Sequence, residues 1–279
     1  MSRLSGARPG QLPGFGPALG LTLLGISVVV LLPVSALGLF AARQDPRSLW
    51  EAATAPRVLA AARLSFLAST AGALVASAAG LLLAWVLVRY DFPLRRLVDA
   101  LVDLPFALPT AVAGISLTTL YAPNGWLGAP LARLGIPVAF TPLGIVVALV
   151  FVGLPFSVRT LQPVLASLDP EAEEAALSLG ASRATVFVRV LLPELLPAWI
   201  TGFTLAFARG LGEYGSVVFI SGNMPGKTEI APLLVMTKLE QYDYTGAAAV
   251  ATALLLTSFA ILLGLNRLQA RAASGREAA

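Results

Sequence analysis

Residues 64–88 read LSFLASTAGALVASAAGLLLAWVLV and contain no charged side chain. A helix needs roughly 20 apolar residues to cross the hydrocarbon core of a bilayer, so this run predicts a transmembrane helix. Four further charge-free runs are long enough for the same purpose, and they extend over 9–42, 104–132, 134–158 and 244–266. Apolar residues make up 57% of the chain and charged residues 12%, about half the share typical of a soluble domain. The sequence therefore predicts an all-α polytopic membrane protein.

Six membrane-spanning helices are predicted along the chain. They are placed near 17–41, 64–88, 98–121, 142–162, 197–220 and 244–266. An even number of crossings puts both termini on the same side of the membrane. Arg and Lys are more frequent in the loops and tails on that side, and the positive-inside rule assigns such a side to the cytoplasm. We therefore expect a multi-pass inner-membrane protein with a flexible cytoplasmic tail over 1–16, a membrane domain over 17–268 and a cytoplasmic tail over 269–279. The residues from Arg271 to Ala279 are also expected to be flexible.

The composition also excludes several kinds of chemistry. The chain has no cysteine and no histidine, so it can form no disulfide, no cysteine zinc site, no thiol nucleophile and no Ser-His-Asp triad. Its pI near 9.8 needs no nucleic-acid partner, because arginines in loops facing an anionic membrane surface account for it. We expect no catalytic residue and no metal site in this chain.

The longest polar connection, placed at 163–196, predicts two short helices. Asp169 is suited to cap the first, with Pro170 at its first position, and Gly180 is suited to end it in a left-handed conformation. Ser182 is suited to cap a second helix that runs to Pro193. Such a polar pair of helices on the face of a membrane bundle is expected to dock onto the bundle itself or onto a partner protein.

Within this connection, the sequence contains Glu174-Ala175-Ala176, then three residues, Gly180, nine residues, and Val190-Leu191-Leu192-Pro193. This spacing closely resembles the EAA loop of ABC importer permeases, and Val190 in place of isoleucine is the one departure from the family pattern. Small alanines let a partner approach the helix closely, and a glycine permits the sharp reversal that follows.

The resemblance implies the six-helix fold of type I ABC importer permeases, with ATPase coupling through this loop. The residues that would carry the coupling are Asp169, Glu174, Ala175, Ala176, Gly180, Leu192 and Pro193. It also implies no cofactor in this chain, because ATP and Mg would be bound by the partner. The implied partners are a homologous second permease subunit in a heterodimer, two cytoplasmic ATPase subunits, a periplasmic sulfate-binding protein and membrane lipid, without nucleic acid.

Three other segments narrow the range of substrates that the resemblance implies. Residues 103–114, 208–223 and 238–244 resemble the T subunit of sulfate/thiosulfate permeases, and with the loop the resemblance covers roughly 60–268. Molybdate or tungstate permeases share the Gly-Glu pair at 212–213 and remain an alternative. An ion-driven secondary transporter would need broken helices and titratable groups at the bilayer midplane, and it would leave the EAA loop unexplained.

Arg209 and Glu213 are the charges placed inside a predicted span away from its ends, and two interpretations of them stay open. A charge inside the membrane costs about 2.5–3.5 kcal/mol or more, so each needs a partner or water. Their spacing of four residues lets them pair as a structural ion pair. Alternatively, Arg209 lines the pathway of a divalent anion. The candidate pathway residues are Arg209, Glu213, Tyr214, Asn223, Lys227 and Thr110.

Residues 221–228, SGNMPGKT, nearly match the phosphate-binding pattern G-x-x-x-x-G-K-[ST]. Ser221 stands in place of the first glycine, no alternation of strands and helices surrounds the segment, and the predicted topology puts it outside the cytoplasm. We therefore expect no nucleotide to bind there. A polar turn is expected, in which Asn223 and Lys227 could meet the anion or its binding protein.

Overall fold

A computed structural model describes residues 15–277, with side chains up to 265 and that of Arg267. The described chain is built from helices, which we number in chain order. They are α1 (Phe15–Ala42), α2 (Pro46–Ala53), α3 (Pro56–Arg89), α4 (Arg95–Val102), α5 (Leu104–Ala107), α6 (Thr110–Tyr121), α7 (Gly128–Arg133), α8 (Pro142–Ser167), α9 (Pro170–Ser178), α10 (Arg183–Leu211), α11 (Gly215–Ser221), α12 (Ala231–Glu240) and α13 (Tyr244–Glu277). The all-α membrane fold predicted from the sequence is confirmed.

Five of the described helices are long and apolar enough to cross a membrane, namely α1, α3, α8, α10 and α13. The third predicted crossing, 98–121, is instead divided among α4, α5 and α6, of which α6 has 12 residues. Pro105 and Pro109 explain the division, because proline lacks the N–H that a continuous helix needs. Leu108, which precedes Pro109, is extended, as the residue before a proline tends to be.

The centre of the bundle is formed by α3, α8 and α10, which pack against one another. Small residues allow the close approach, as is common between helices in membranes. An ideal Cβ on Gly80 of α3 would lie 2.5 Å from the Cβ of Ser157 on α8, and one on Gly202 of α10 would lie 3.0 Å from the Ser157 Cα. Ser157 is fully buried where the three helices meet.

The fifth crossing differs from its predicted bounds of 197–220. The second helix of the polar connection does not stop at Pro193 but continues into the membrane as α10, through a π-helical turn over Phe187–Leu191. The wide turn accommodates Pro193, whose ring would clash with the carbonyl four residues earlier in a regular helix. At its other end α10 stops at Leu211, and α11 starts only at Gly215.

The connections between spans are also more helical than predicted. The helices α2, α7 and α12 fall between the predicted spans, in segments for which no helix was predicted, and α12 packs against α13 and α3. The last helix, α13, continues to Glu277, so it includes most of the residues from Arg271 to Ala279 for which the sequence predicted a flexible tail. The tail predicted over 1–16 falls almost wholly outside the described residues.

Candidate functional site

Arg209 and Glu213 form an ion pair at the end of α10. The Arg209 Nη1 lies 2.7 Å from the Glu213 Oε2. The two side chains differ in environment, because 36% of the Arg209 side chain is exposed and only 1% of the Glu213 side chain is. The buried carboxylate is therefore compensated by a guanidinium whose outer part faces away from the helices described here.

The second oxygen of Glu213 caps the next helix. Its Oε1 accepts hydrogen bonds of 2.9 Å from both the backbone N–H and the hydroxyl of Ser216 in α11. Free N–H groups at a helix start favour a negative charge. Glu213 thus connects α10 to α11 across the break at 212–214. One of its carboxylate oxygens pairs with Arg209, and the other accepts hydrogen bonds from Ser216.

The first turns of α6 and α11 meet beside this break. Gly215 leaves room for the side chain of Thr110, because a Cβ at position 215 would collide with the Thr110 hydroxyl. An ideal Cβ on Gly114 of α6 would lie 2.6 Å from the Ser216 carbonyl oxygen, so the two helices are in backbone contact. Two helix starts and the Arg209–Glu213 pair therefore share one region of the bundle.

Of the other predicted pathway residues, Tyr214 lies in the break beside Glu213, and Asn223 and Lys227 lie farther along the chain. Tyr214 is 38% exposed and lines an apolar groove of about 660 Å³ with Pro33 of α1 and Met236 of α12. Asn223 follows α11, roughly 10 Å along the helix axis from its start, and its amide lies 3.4 Å from the Thr237 hydroxyl. Lys227 is exposed in the following turn. The structure therefore groups Arg209, Glu213 and Thr110, and it separates Asn223 and Lys227 from them.

The turn over 222–229 uses its own backbone N–H groups. The Met224 carbonyl accepts hydrogen bonds from the N–H groups of Lys227, Thr228 and Glu229 at 2.9–3.1 Å. The Asn223 and Met224 N–H groups donate to the hydroxyls of Ser221 and Thr228. A phosphate-binding loop needs such N–H groups free to point at the ligand, so this geometry agrees with the expectation that no nucleotide binds here.

The polar connection forms the tight helix-turn that the sequence predicts. Asp169 caps α9, where its carboxylate accepts a hydrogen bond of 2.9 Å from the Glu171 N–H. Gly180 follows α9 with φ of +84°, a value that residues with a Cβ rarely adopt. Ser182 caps α10, where its hydroxyl accepts from the Thr185 N–H at 3.2 Å.

One side of α9 is open. Glu174 and Ala175 are exposed, and 89% of Leu179 is exposed. Ala176 is partly buried on the other side of the helix. A leucine so exposed beside a small alanine offers an apolar surface that a partner could cover. Leu192 and Pro193 lie instead at the end of the π-helical turn of α10, with Leu192 partly buried and Pro193 exposed.

The buried side of α9 is tied to α3. Glu173 forms an ion pair with Arg89, the last residue of α3. The Arg89 guanidinium also lies 5.3 Å from the ring centroid of Trp85, one turn earlier. Trp85 in turn contacts Phe187 edge to face, with centroids 5.5 Å apart. The last turn of α3 thus touches both helices of the polar connection.

Sequence reasoning missed a buried ion pair at the other end of α3. The Arg57 guanidinium donates two hydrogen bonds, of 2.8 and 2.7 Å, to Glu229, whose side chain is 1% exposed. The two residues are 172 positions apart, so no spacing rule connects them. The sequence did contain a signal, because Glu229 directly precedes the apolar run that begins at Ile230 and needs a cation if it is buried.

Two of the segments that resemble sulfate permeases, 103–114 and 238–244, contain residues that form further ion pairs. Arg159 of α8 binds Asp103 with two hydrogen bonds, of 2.8 and 2.5 Å, and Asp99 at 2.6 Å, which fixes α4 and α5 to α8. Lys238 lies 2.7 Å from Asp243, which caps the start of α13. The hydrogen bond from Lys238, together with that from the Gly246 N–H, lowers the pKa of Asp243 below its ordinary value.

Comparison with known proteins gives close relatives. Residues 76–275 match the family described as "Binding-protein-dependent transport system inner membrane component". The probable sulfate transport system permease protein cysT of Nephroselmis olivacea is 51% identical over 253 residues, which cover 91% of this chain and 89% of that protein. The sulfate transport system permease protein CysT of Escherichia coli K12 is 48% identical over 260 residues, which cover 93% and 94%.

Solved structures share the fold. A chain of a bacterial ABC transporter involved in the import of the acidic polysaccharide alginate superposes with a TM-score of 0.75 at 17% identity, over 92% of this chain and 94% of that one. A chain of the inward-facing MetNI methionine ABC transporter superposes with a TM-score of 0.57 at 18% identity, over 82% and 99%. The predicted fold class, that of ABC importer permeases, is confirmed by these likenesses.

Family, fold and multi-pass architecture agree, and they describe a transport component rather than an enzyme: the chain belongs to the binding-protein-dependent transport system inner membrane components, the permease subunits of ABC importers.

Proposed function

We propose that this chain is a permease subunit that carries sulfate across the inner membrane, with both termini in the cytoplasm. Two relatives about half identical over nine-tenths of the chain are named for sulfate transport, and the comparisons give the molybdate alternative no support. The structural observation that carries the proposal is Arg209, a permanent cation at a helix break inside the membrane whose side chain is one-third exposed.

The geometry supports different roles for the two members of the ion pair. Glu213 is buried and bound by Ser216 and Arg209, so its role is to hold α11 against α10 and to neutralise the arginine. Arg209 is exposed on the side that lacks a neighbour in this subunit. A charge at that depth requires water or another protein surface, and a water-filled pathway between two permease subunits supplies both.

Sulfate is a dianion, and a guanidinium presents several donors in a planar fork that suits an oxyanion. Glu213 lowers the net positive potential at the site, so the anion is attracted without being held too tightly to leave. Thr110, at the start of α6, is the neighbouring hydroxyl that would share the site. Tyr214 would act beside the ion pair, and Asn223 and Lys227 would act farther along the path, with Lys227 at the outer mouth.

Coupling is assigned to the exposed side of α9. Asp169 and Gly180 fix the two ends of the helix, and Glu174 and Ala175 together with Leu179 form the surface that an ATPase subunit would contact. Ala176 lies on the other side of the same helix, and Leu192 and Pro193, at the end of the π-helical turn, would pass the movement on to the membrane-spanning part of α10. The assembly would contain a homologous second permease, two cytoplasmic ATPase subunits that bind ATP and Mg, a periplasmic sulfate-binding protein and surrounding lipid.

Uptake by the assembled complex tests this function. The chain, its partner permease, the ATPase and the binding protein are reconstituted in proteoliposomes, and ATP-dependent accumulation of labelled sulfate, thiosulfate and molybdate is measured. Sulfate accumulation that depends on ATP and on the binding protein is expected. Accumulation of molybdate without sulfate would contradict the proposal.

A further inference from the structure

The last turn of α3 makes contacts that the docking surface does not explain. Trp85 and Arg89 are four residues apart and so lie on the same side of the helix. Arg89 pairs with Glu173 of α9 and lies over the Trp85 ring, while Trp85 packs against Phe187 at the start of α10. One face of α3 therefore contacts the polar connection on both sides of the turn at Gly180, at Glu173 before it and at Phe187 after it.

The ion pair is the specific polar link between α9 and the bundle. Among the described residues, Glu173 is the side chain of α9 that pairs with a charge on another helix. The Arg89 side chain is 24% exposed and that of Glu173 is 20% exposed, so solvent ions screen the pair less than a surface pair. By contrast, Glu171 and Glu174 are exposed on the open side of α9.

The helix α3 also reaches the region of the candidate pathway, because an ideal Cβ on Gly210, next to Arg209, would lie 3.4 Å from the Ser69 hydroxyl of α3. Gly80 of α3 and Gly202 of α10 both approach Ser157 of α8 closely. Because these contacts are tightly packed, a movement of α3 should displace α8 and α10 with it. The helix α10 ends at the Arg209–Glu213 pair. A continuous set of contacts thus runs from α9 through Arg89 and α3 to the break at 212–214.

We propose that Arg89 is a positioning residue that makes α9 and α3 move as one body, so that ATPase closure is transmitted to the pathway through α3. The inference rests on the proposed function, since it assumes that α9 docks onto the ATPase. The Arg89 Nε is buried without a hydrogen-bond partner in the described part of the chain, and a buried unpaired donor is costly.

The first test removes the link without stranding a charge. In the reconstituted complex, Arg89→Gln/Glu173→Gln is expected to keep the ATPase subunits bound and their basal hydrolysis near the wild-type rate. Stimulation of hydrolysis by the loaded binding protein should fall about tenfold, a typical size for coupling between sites. Arg89→Lys, which keeps the cation over Trp85, should retain most of the stimulation.

Asp91→Asn is the matched control. Asp91 lies two residues away and pairs with Arg95, but its side chain is 95% exposed, so its loss should leave stimulation unchanged. Wild-type stimulation in Arg89→Gln/Glu173→Gln would overturn the proposal, as would an equal loss in Asp91→Asn.

The second test leaves the native ion pair in place. Because the chain contains no cysteine, spin labels can be attached at Val86→Cys on α3 and Ser178→Cys on α9 without other changes. The distance between the labels should stay constant when a non-hydrolysable ATP analogue closes the ATPase dimer. A change of more than about 5 Å, one helical turn, would show that α9 moves independently of α3 and would contradict the inference.

Neither readout depends on which anion is carried. A wild-type complex that accumulates no sulfate but is stimulated by its binding protein would contradict the proposed substrate alone. The stimulation ratio and the label distance would still decide whether Arg89 links α9 to α3.

Discussion

At the residue scale, Arg209 differs from Glu213 in what its loss should do. Arg209→Gln leaves the carboxylate of Glu213 buried without a cation. That costs less than the roughly 3–5 kcal/mol of a fully buried pair, because Arg209 is one-third exposed. Glu213→Gln keeps an oxygen that can accept from Ser216, so α11 should stay capped. A loss of uptake in either single variant could therefore come from a folding defect or from a transport defect, and uptake alone does not separate the two.

The double change Arg209→Gln/Glu213→Gln separates the two effects. No lone charge remains, so membrane abundance and ATP hydrolysis should recover toward wild type. Sulfate uptake should stay at least tenfold low, since the pathway cation is absent. We expect this pattern from uptake measured at equal membrane abundance. Near-normal sulfate uptake by the double mutant would show that the pair is structural and that Arg209 has no role in the pathway.

Gly180 provides a second prediction at this scale. Its φ of +84° is unfavourable for a β-branched residue, so Gly180→Val should cost about 1–3 kcal/mol and distort the turn between α9 and α10. ATPase association, measured by copurification, should fall while the subunit still inserts.

The chain offers a matched control at Gly135. This residue also has positive φ, +77°, and an ideal Cβ there would meet open space, as at Gly180. It lies after α7, in a loop that the predicted topology places on the opposite side of the membrane. Gly135→Val should be strained to a similar extent without affecting copurification. Equal ATPase binding by both variants and wild type would contradict the docking assignment.

At the element scale, the ion pair between Arg57 and Glu229 fixes the start of α3 to the segment before α12. Arg57→Gln leaves Glu229 buried at 1% exposure, so the thermal midpoint of the purified complex should fall clearly. Arg57→Gln/Glu229→Gln should recover most of that loss.

The pair Arg47–Glu51 within α2 is the comparison. Its side chains are 85% and 64% exposed, so Arg47→Gln should change stability by only about 0–1 kcal/mol. If Arg57→Gln and Arg47→Gln lower the thermal midpoint by the same small amount, the Arg57–Glu229 pair does not hold these elements together.

The elements also show which parts of the fold could be predicted from the sequence. Charge-free runs locate α1, α3, α8 and α13, because helices in lipid must be apolar along their length. Hydropathy could not divide the third crossing, although Pro105 and Pro109 marked the place. The break at 212–214 was hidden as well, because it depends on a buried Glu213 that caps a helix it does not belong to.

In the candidate site, contacts between residues that are close in sequence could be predicted, and contacts between distant residues could not. The i,i+4 spacing predicts the Arg209–Glu213 pair, and the caps at Asp169 and Ser182 are local, so both follow from neighbouring residues. Contacts between distant segments do not. Arg89–Glu173 spans 84 positions and Arg159–Asp103 spans 56, and these charges meet only because the tertiary fold brings α9 to α3 and the junction of α4 and α5 to α8.

At the scale of the whole molecule, the orientation in the membrane is a prediction of the positive-inside rule. Three segments predicted to lie outside the cytoplasm carry strongly exposed aromatic side chains, which favours their lying at the same membrane–water interface. Trp50 is 71% exposed, Trp126 is 83% exposed and Tyr242 is 80% exposed. Trp and Tyr favour the membrane–water interface, where their rings are buried and their polar atoms are wet. These residues flank α3, α6 and α13 at the ends that the topology assigns to the outer side.

Reporter fusions test this orientation directly. Alkaline phosphatase, which is active only outside the cytoplasm, should be active when fused after Trp50, Asn124 or Lys227. It should be inactive after Arg96, Ser182 and Ala273. The fusion after Asn124 is the most informative, because the third crossing is divided among α4, α5 and α6, and α6 by itself covers only about 18 Å. An inactive fusion at Asn124 would mean that this segment re-enters without crossing, which would invert every later loop and place Lys227 in the cytoplasm. An active fusion at Asn124 together with an inactive one at Ser182 would establish that α4–α6 cross as one broken span and that α9 faces the ATPase.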